Sequence, residues 1–87
     1  MNTPAIKSSL QRVSPNFINV AIKGSFYENI RIQIRHENGE QKISLWEELN
    51  SGNNNISIDL SSLTKGNYSL IISDKQGQIR LEESLKL

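Results

Sequence analysis

From Asn55 to Gly77 the chain alternates apolar and polar positions in two runs separated by a polar corner. Ile56, Ile58 and Leu60 alternate with Ser57 and Asp59, the period of a strand with one buried face. Residues 61–66, Ser-Ser-Leu-Thr-Lys-Gly, break the pattern. Tyr68, Leu70 and Ile72 resume it, and Asp74-Lys75-Gln76-Gly77 closes it with turn chemistry. Upstream, Ile18, Val20 and Ile22 alternate up to Gly24-Ser25, and Ile30, Ile32 and Ile34 alternate with Arg31, Gln33 and Arg35. Asn38-Gly39 then predicts a tight hairpin, with Ile43 and Leu45 opening the returning strand. Residues 50–54, all turn formers, predict a loop. After Gly77, Ile79, Leu81, Leu85 and Leu87 predict a last strand with those four side chains on one face.

Two segments also fit helices. Ser44-Leu45-Trp46-Glu47 has the look of a capping box, but the run to Leu49 is about two turns long and follows the Asn38-Gly39 turn. Residues 81–85 are helix-compatible alone, yet the period of two favours a strand. At the other end, Ile6, Leu10 and Val13 supply either a short edge strand or a flexible lead-in over 1–13, and Pro15, without an amide donor, belongs at a boundary. The expected whole is a single domain over 1–87, an all-β antiparallel sandwich of six or seven short strands. Leu63, Gly66 and Tyr68 at a strand mouth look like the tyrosine corner of an immunoglobulin-like sandwich. Gly39, Gly66 and Gly77 mark its turns.

Eighty-seven residues without a cysteine leave no disulfide or thiolate site, so Ile, Leu, Val and a few aromatics must form the core. Ten Lys and Arg balance nine Asp and Glu, and no run concentrates them. Nucleic-acid binding needs a concentrated basic patch, so it is not expected. The start, Met1 to Lys7, has no apolar core of a signal peptide, and the longest aliphatic run, Leu70-Ile71-Ile72, is too short for a membrane span.

Reactive groups are sparse. His36, the single histidine, reads as an exposed strand-end residue with no partner for a triad or a zinc site. Glu47-Glu48 and Glu82-Glu83 are adjacent on strands and point to opposite faces, so neither pair can flank one bond. Asp59 and Asp74 bring too few oxygens for calcium, and Asp74 fits an Asx-type turn better. No metal, no cofactor and no catalytic residue is expected. Phe26, Tyr27 and Trp46 are the candidate partner-binding residues, since exposed aromatics stack on sugars or anchor a protein. The competing reading packs Phe26 and Trp46 into the ends of the core. For the adjacent pair, Phe26 is expected buried and Tyr27 exposed.

The segment Ile56 to Tyr68, Ile-Ser-Ile-Asp-Leu-Ser-Ser-Leu-Thr-Lys-Gly-Asn-Tyr, followed by a strand and the Gly77 turn, resembles two groups of exported Bacteroidetes proteins. One is the C-terminal sorting domain of type IX secretion cargo. The other is a family of small secreted immunoglobulin-like Bacteroides proteins of unknown function. Ser14-Pro15-Asn16 is similar to the opening motif of the sorting domain, with Phe17 where that motif has a second proline, and the chain ends at Leu87 as a terminal domain would. The last strand lacks the sorting domain's Lys-rich close. Both resemblances imply export to the periplasm, cell surface or medium. The favoured expectation is a non-catalytic module for recognition or scaffolding, with an unknown protein or glycan partner. The alternatives are a type IX sorting or anchoring domain met by the secretion machinery, and a glycan-binding module.

Overall fold

Every apolar alternation in the sequence becomes a strand. The computed structural model describes residues 7–14 and 16–87. It contains seven strands: β1 (Lys7–Ser14), β2 (Phe17–Gly24), β3 (Glu28–His36), β4 (Gln41–Leu49), β5 (Gly52–Asp59), β6 (Asn67–Asp74) and β7 (Ile79–Lys86). They form two antiparallel sheets, β1-β2-β5 and β4-β3-β6-β7. In immunoglobulin lettering this is A-B-E facing C′-C-F-G, with no separate D strand among the described residues. Ile6 and Pro15, and the side chains of Leu10 and Val13, lie outside the described residues.

The core follows from the period of two. Ile18, Val20 and Ile22 of β2 and Ile56 and Ile58 of β5 face Ile30, Ile32 and Ile34 of β3 and Leu70 and Ile72 of β6. β-branched side chains suit this pleated, sandwiched surface. Leu63, Leu81, Leu85 and Leu87 close the margins half-buried. No helix forms at 43–49. Ile43 and Leu45 pair with Ile34 and Ile32, and strand pairing outweighs the local capping signal.

Two expectations change. Residues 52–54 are strand, because β2 continues the ladder to the Gly24–Gly52 pair. The Asn54 amide donates to the carbonyls of Asn50 and Gly52 and, at 3.3 Å, to that of Ile22, which offsets the poor strand propensity of asparagine. Ile79 does not join Leu81 and Leu85 on the core face and is 56% exposed. A register shift between Ile72 and Ser73 sets Ile79 opposite Ser73, while Arg80 is buried instead. Ile71 reverses the rule on the neighbouring strand: it faces outward yet is covered, in a cross-strand row with Gln33 and Glu82.

Candidate functional site

The two ends of the sandwich have different chemistry. At the corner end, the Tyr68 hydroxyl donates to the Thr64 carbonyl at 2.8 Å and lies 3.4 Å from the Thr64 hydroxyl. This is a tyrosine corner, a side chain that ties the strand-to-strand connection back onto its own sheet. His36 pairs with Tyr68 across β3 and β6, and the two rings meet edge to face at 5.0 Å. The expectation of a freely exposed histidine is therefore corrected: His36 is half-buried, and its Nδ1 accepts from the Asn38 amide at 3.2 Å. Gly66 holds φ at +156°, and a Cβ there would sit 3.2 Å from His36 Nε2. Gly66 also exchanges backbone hydrogen bonds with Leu87, so the corner clasps the end of the chain. Gly39 holds φ at +92° in the hairpin between β3 and β4, where Asn38 Oδ1 accepts from the Glu40 amide. Gly77 takes a similar place between β6 and β7.

At the opposite end, a buried ion cluster ties three strands together. Arg80 of β7 donates to Glu28 Oε1 at 2.6 Å and to Oε2 at 3.2 Å, and Asp74 Oδ2 stands 3.9 Å from the guanidinium. Asp74 spends its other oxygen on the turn, accepting from the amides of Gln76 and Gln78, the Asx chemistry expected of it. The bidentate geometry is the strong form of an arginine–carboxylate pair. Sequence reasoning missed it, because Arg80 looked like an ordinary outward residue of an alternating strand.

The aromatic residues surround this end. Phe26 and Tyr27 lie on the connection that crosses from one sheet to the other, and both are exposed, at 46% and 58%. The expected burial of Phe26 is corrected: the isoleucines already fill the interior, and the crossing connection carries both rings outside it. Trp46 is 56% exposed, not packed into the core, because β4 turns Leu45 and Glu47 inward and Trp46 outward. The Tyr27 hydroxyl has a raised pKa, first through partial desolvation and then through its hydrogen bond to the Glu48 carboxylate and that group's charge. Glu48 and Trp46 are two positions apart on β4 and share its outer face, while Tyr27 lines a neighbouring depression with Asn29 and Lys75. The Arg31 guanidinium stands 5.8 Å from the Trp46 ring centroid, within cation–π range, and Arg31 Nε donates to Ser44 Oγ at 2.9 Å. Asn29, paired opposite Glu48, and Lys75, from the β6–β7 turn, complete an open groove of about 560 Å³ beside the ring.

Among the described residues, no group of three or more His, Cys, Asp or Glu could hold a metal ion. Asp59 and Asp74 end strands at opposite ends of the sandwich, and Asp59 accepts from the Ser61 amide. Of the functional partners that sequence reasoning missed, only Arg31 had a signal, as an outward residue of the clearest half-buried strand.

Comparison with known proteins adds a family. The model of the secretion system C-terminal sorting domain matches residues 14–82, from the end of β1 into β7. Of the two groups the sequence resembles, the match is to the sorting domain of type IX secretion. No curated protein matches. Among solved structures, the GH3 β-glucosidase of Bifidobacterium adolescentis superposes with a TM-score of 0.58 at 14% identity, covering 95% of this chain. The chain spans only 17% of that enzyme, and the likeness is one of fold.

Proposed function

The chain belongs to the secretion system C-terminal sorting domain family, and we propose that it acts as the folded address by which the type IX machinery recognises an exported cargo protein. The family match over residues 14–82 carries this reading, since it takes in all or part of every strand. It favours sorting over the recognition or scaffolding role that composition and motifs alone brought forward. The family is not a catalytic one, and its members mark exported proteins. No helix among the described residues is long and apolar enough to cross a membrane.

The physical design is consistent with an address that works as a folded body. β7 completes the sandwich in three ways: Arg80 meets Glu28, Leu81 and Leu85 cover the core margin, and β6 gains a full ladder. The partner is then the secretion machinery, which meets a rigid surface and not an extended tail. Fusing residues 1–87 behind a periplasmic reporter in a type IX host should bring the reporter to the cell surface. Removing residues 79–87 should abolish that. A reporter retained in the periplasm by the intact fusion would return the scaffolding reading to first place.

A further inference from the structure

We propose that the groove beside Trp46 binds the interior of a neutral polysaccharide chain. The proposal is independent of the sorting role.

The starting point is an exposed ring that is held in place. A tryptophan projecting from an edge strand leaves a broad apolar face in water, and an isolated one would move freely. Trp46 is braced: Arg31 stands over it, and Arg31 is itself tethered to Ser44. A strand-borne aromatic platform with its orientation fixed loses little freedom on stacking, which is the condition for a useful contact.

Around the platform lies a mixed set of hydrogen-bonding groups. Asn29 offers both a donor and an acceptor, Glu48 on the same face of β4 as Trp46 accepts, and Lys75 donates. A pyranose has the matching chemistry, with C–H faces that stack on a ring and hydroxyls on its edge that both donate and accept. Tyr27 borders a neighbouring depression that shares Asn29 and Lys75 with this groove, and Glu48 lies about 7 Å along β4 from Trp46. The groove is an open depression, so a chain can pass through without offering an end.

Charge narrows the ligand. Arg31 and Lys75 offset Glu47 and Glu48 around the ring, so the groove has no net charge to hold an anionic or a cationic glycan. A lysine- or arginine-bearing peptide is also a poor fit, because Arg31 already takes the cation position at Trp46 and Lys75 repels a second one. Cleavage is not part of the proposal. Glu47 lies opposite inward-facing Ile30 and Glu48 opposite Asn29, so the two carboxylates sit on different faces of β4 and cannot flank one glycosidic bond.

Trp46 is the single tryptophan, so its emission reports the site directly. The full chain is titrated with soluble mixed-linkage β-glucan, galactomannan and arabinoxylan, and run in native gels containing each. Alginate and a lysine-rich peptide serve as the contrasting probes. At least one neutral polysaccharide should shift the emission and retard the protein. Trp46→Ala should weaken the retardation at least tenfold with the melting midpoint kept, and Trp46→Phe should retain part of it. Absence of any shift or retardation with all three neutral chains overturns the proposal. So does retardation unchanged in Trp46→Ala, or alginate or the peptide binding as well as the best neutral chain. None of these failures bears on delivery of a fused reporter.

Discussion

Replacing Arg80 by Met tests the buried ion cluster, because it keeps most of the side-chain volume while removing the charge. Arg80 and Glu28 are nearly enclosed, their side chains retaining 4% and 13% of their accessible surface, and Asp74 retains 7%. The substitution strands two carboxylates that the guanidinium now compensates. Breaking a buried pair from one side costs about 3–5 kcal/mol. The lower end applies here, since Asp74 keeps its two turn amides and Glu28 sits at the rim, where water reaches it. About 3 kcal/mol is a large share of a small domain's stability. At about 4–8 °C per kcal/mol for this chain length, the melting midpoint should fall by roughly 12–24 °C. Urea unfolding followed by circular dichroism should show the same loss through the midpoint, with an unchanged slope. In Glu28→Gln/Arg80→Met the loss should be smaller than the sum of the single losses, because the two changes remove one interaction. A single-variant loss under about 1 kcal/mol would mean that the pair behaves like an exposed one, and the stabilising role of the buried cluster would be refuted.

Tyr68→Phe removes the hydroxyl that meets the Thr64 carbonyl and should cost about 1 kcal/mol in the same unfolding assay; an unchanged midpoint would show that the corner bond is not stabilising. Gly39→Ala should lose about 1 kcal/mol from its positive φ alone, and Gly39→Asn should recover part of it, since asparagine tolerates that region. Gly66→Ala should lose more, about 2 kcal/mol, because its new methyl also presses on His36, and an equal loss at both sites would exclude that crowding. The hydrogen bonds from Ser61, its backbone amide first, hold the Asp59 carboxyl below its usual pKa. A depressed folded value means stability that is present above the unfolded pKa and is lost as pH falls through the folded one. The domain should therefore weaken below pH ~4, and Asp59→Asn should flatten that acid limb in a pH series of melts.

How much of this was legible depends on whether one strand or several carry the signal. Ile30, Ile32 and Ile34 announce a strand and its buried face by themselves, and so do Ile18, Val20 and Ile22. The corner was equally readable, because Leu63, Gly66 and Tyr68 are local in sequence and their spacing reflects one turn. What failed needed a partner strand. Ile79 looked inward by parity, but the register shift against β6 reassigns the face, and such a shift leaves no mark in β7 itself. Arg80 then meets Glu28, 52 residues away, a pairing that no local pattern encodes. Trp46 was ambiguous because a tryptophan on an edge strand suits a core or a surface equally, and only the inward turn of Leu45 decides. Tyr27, Phe26 and Trp46 could be singled out by type, whereas their grouping with Asn29 and Lys75 rests on loop and strand placement that the sequence does not state.

The sorting role is tested most directly by where a cargo goes. A periplasmic reporter carrying residues 1–87 at its C-terminus is expressed in two hosts, one with a working type IX system and one in which that system is inactivated. The fraction cleaved by protease added to intact cells is then measured. The account predicts a protease-accessible reporter in the first host and a protected, periplasmic one in the second. Protection in both hosts, or equal accessibility in both, would contradict it.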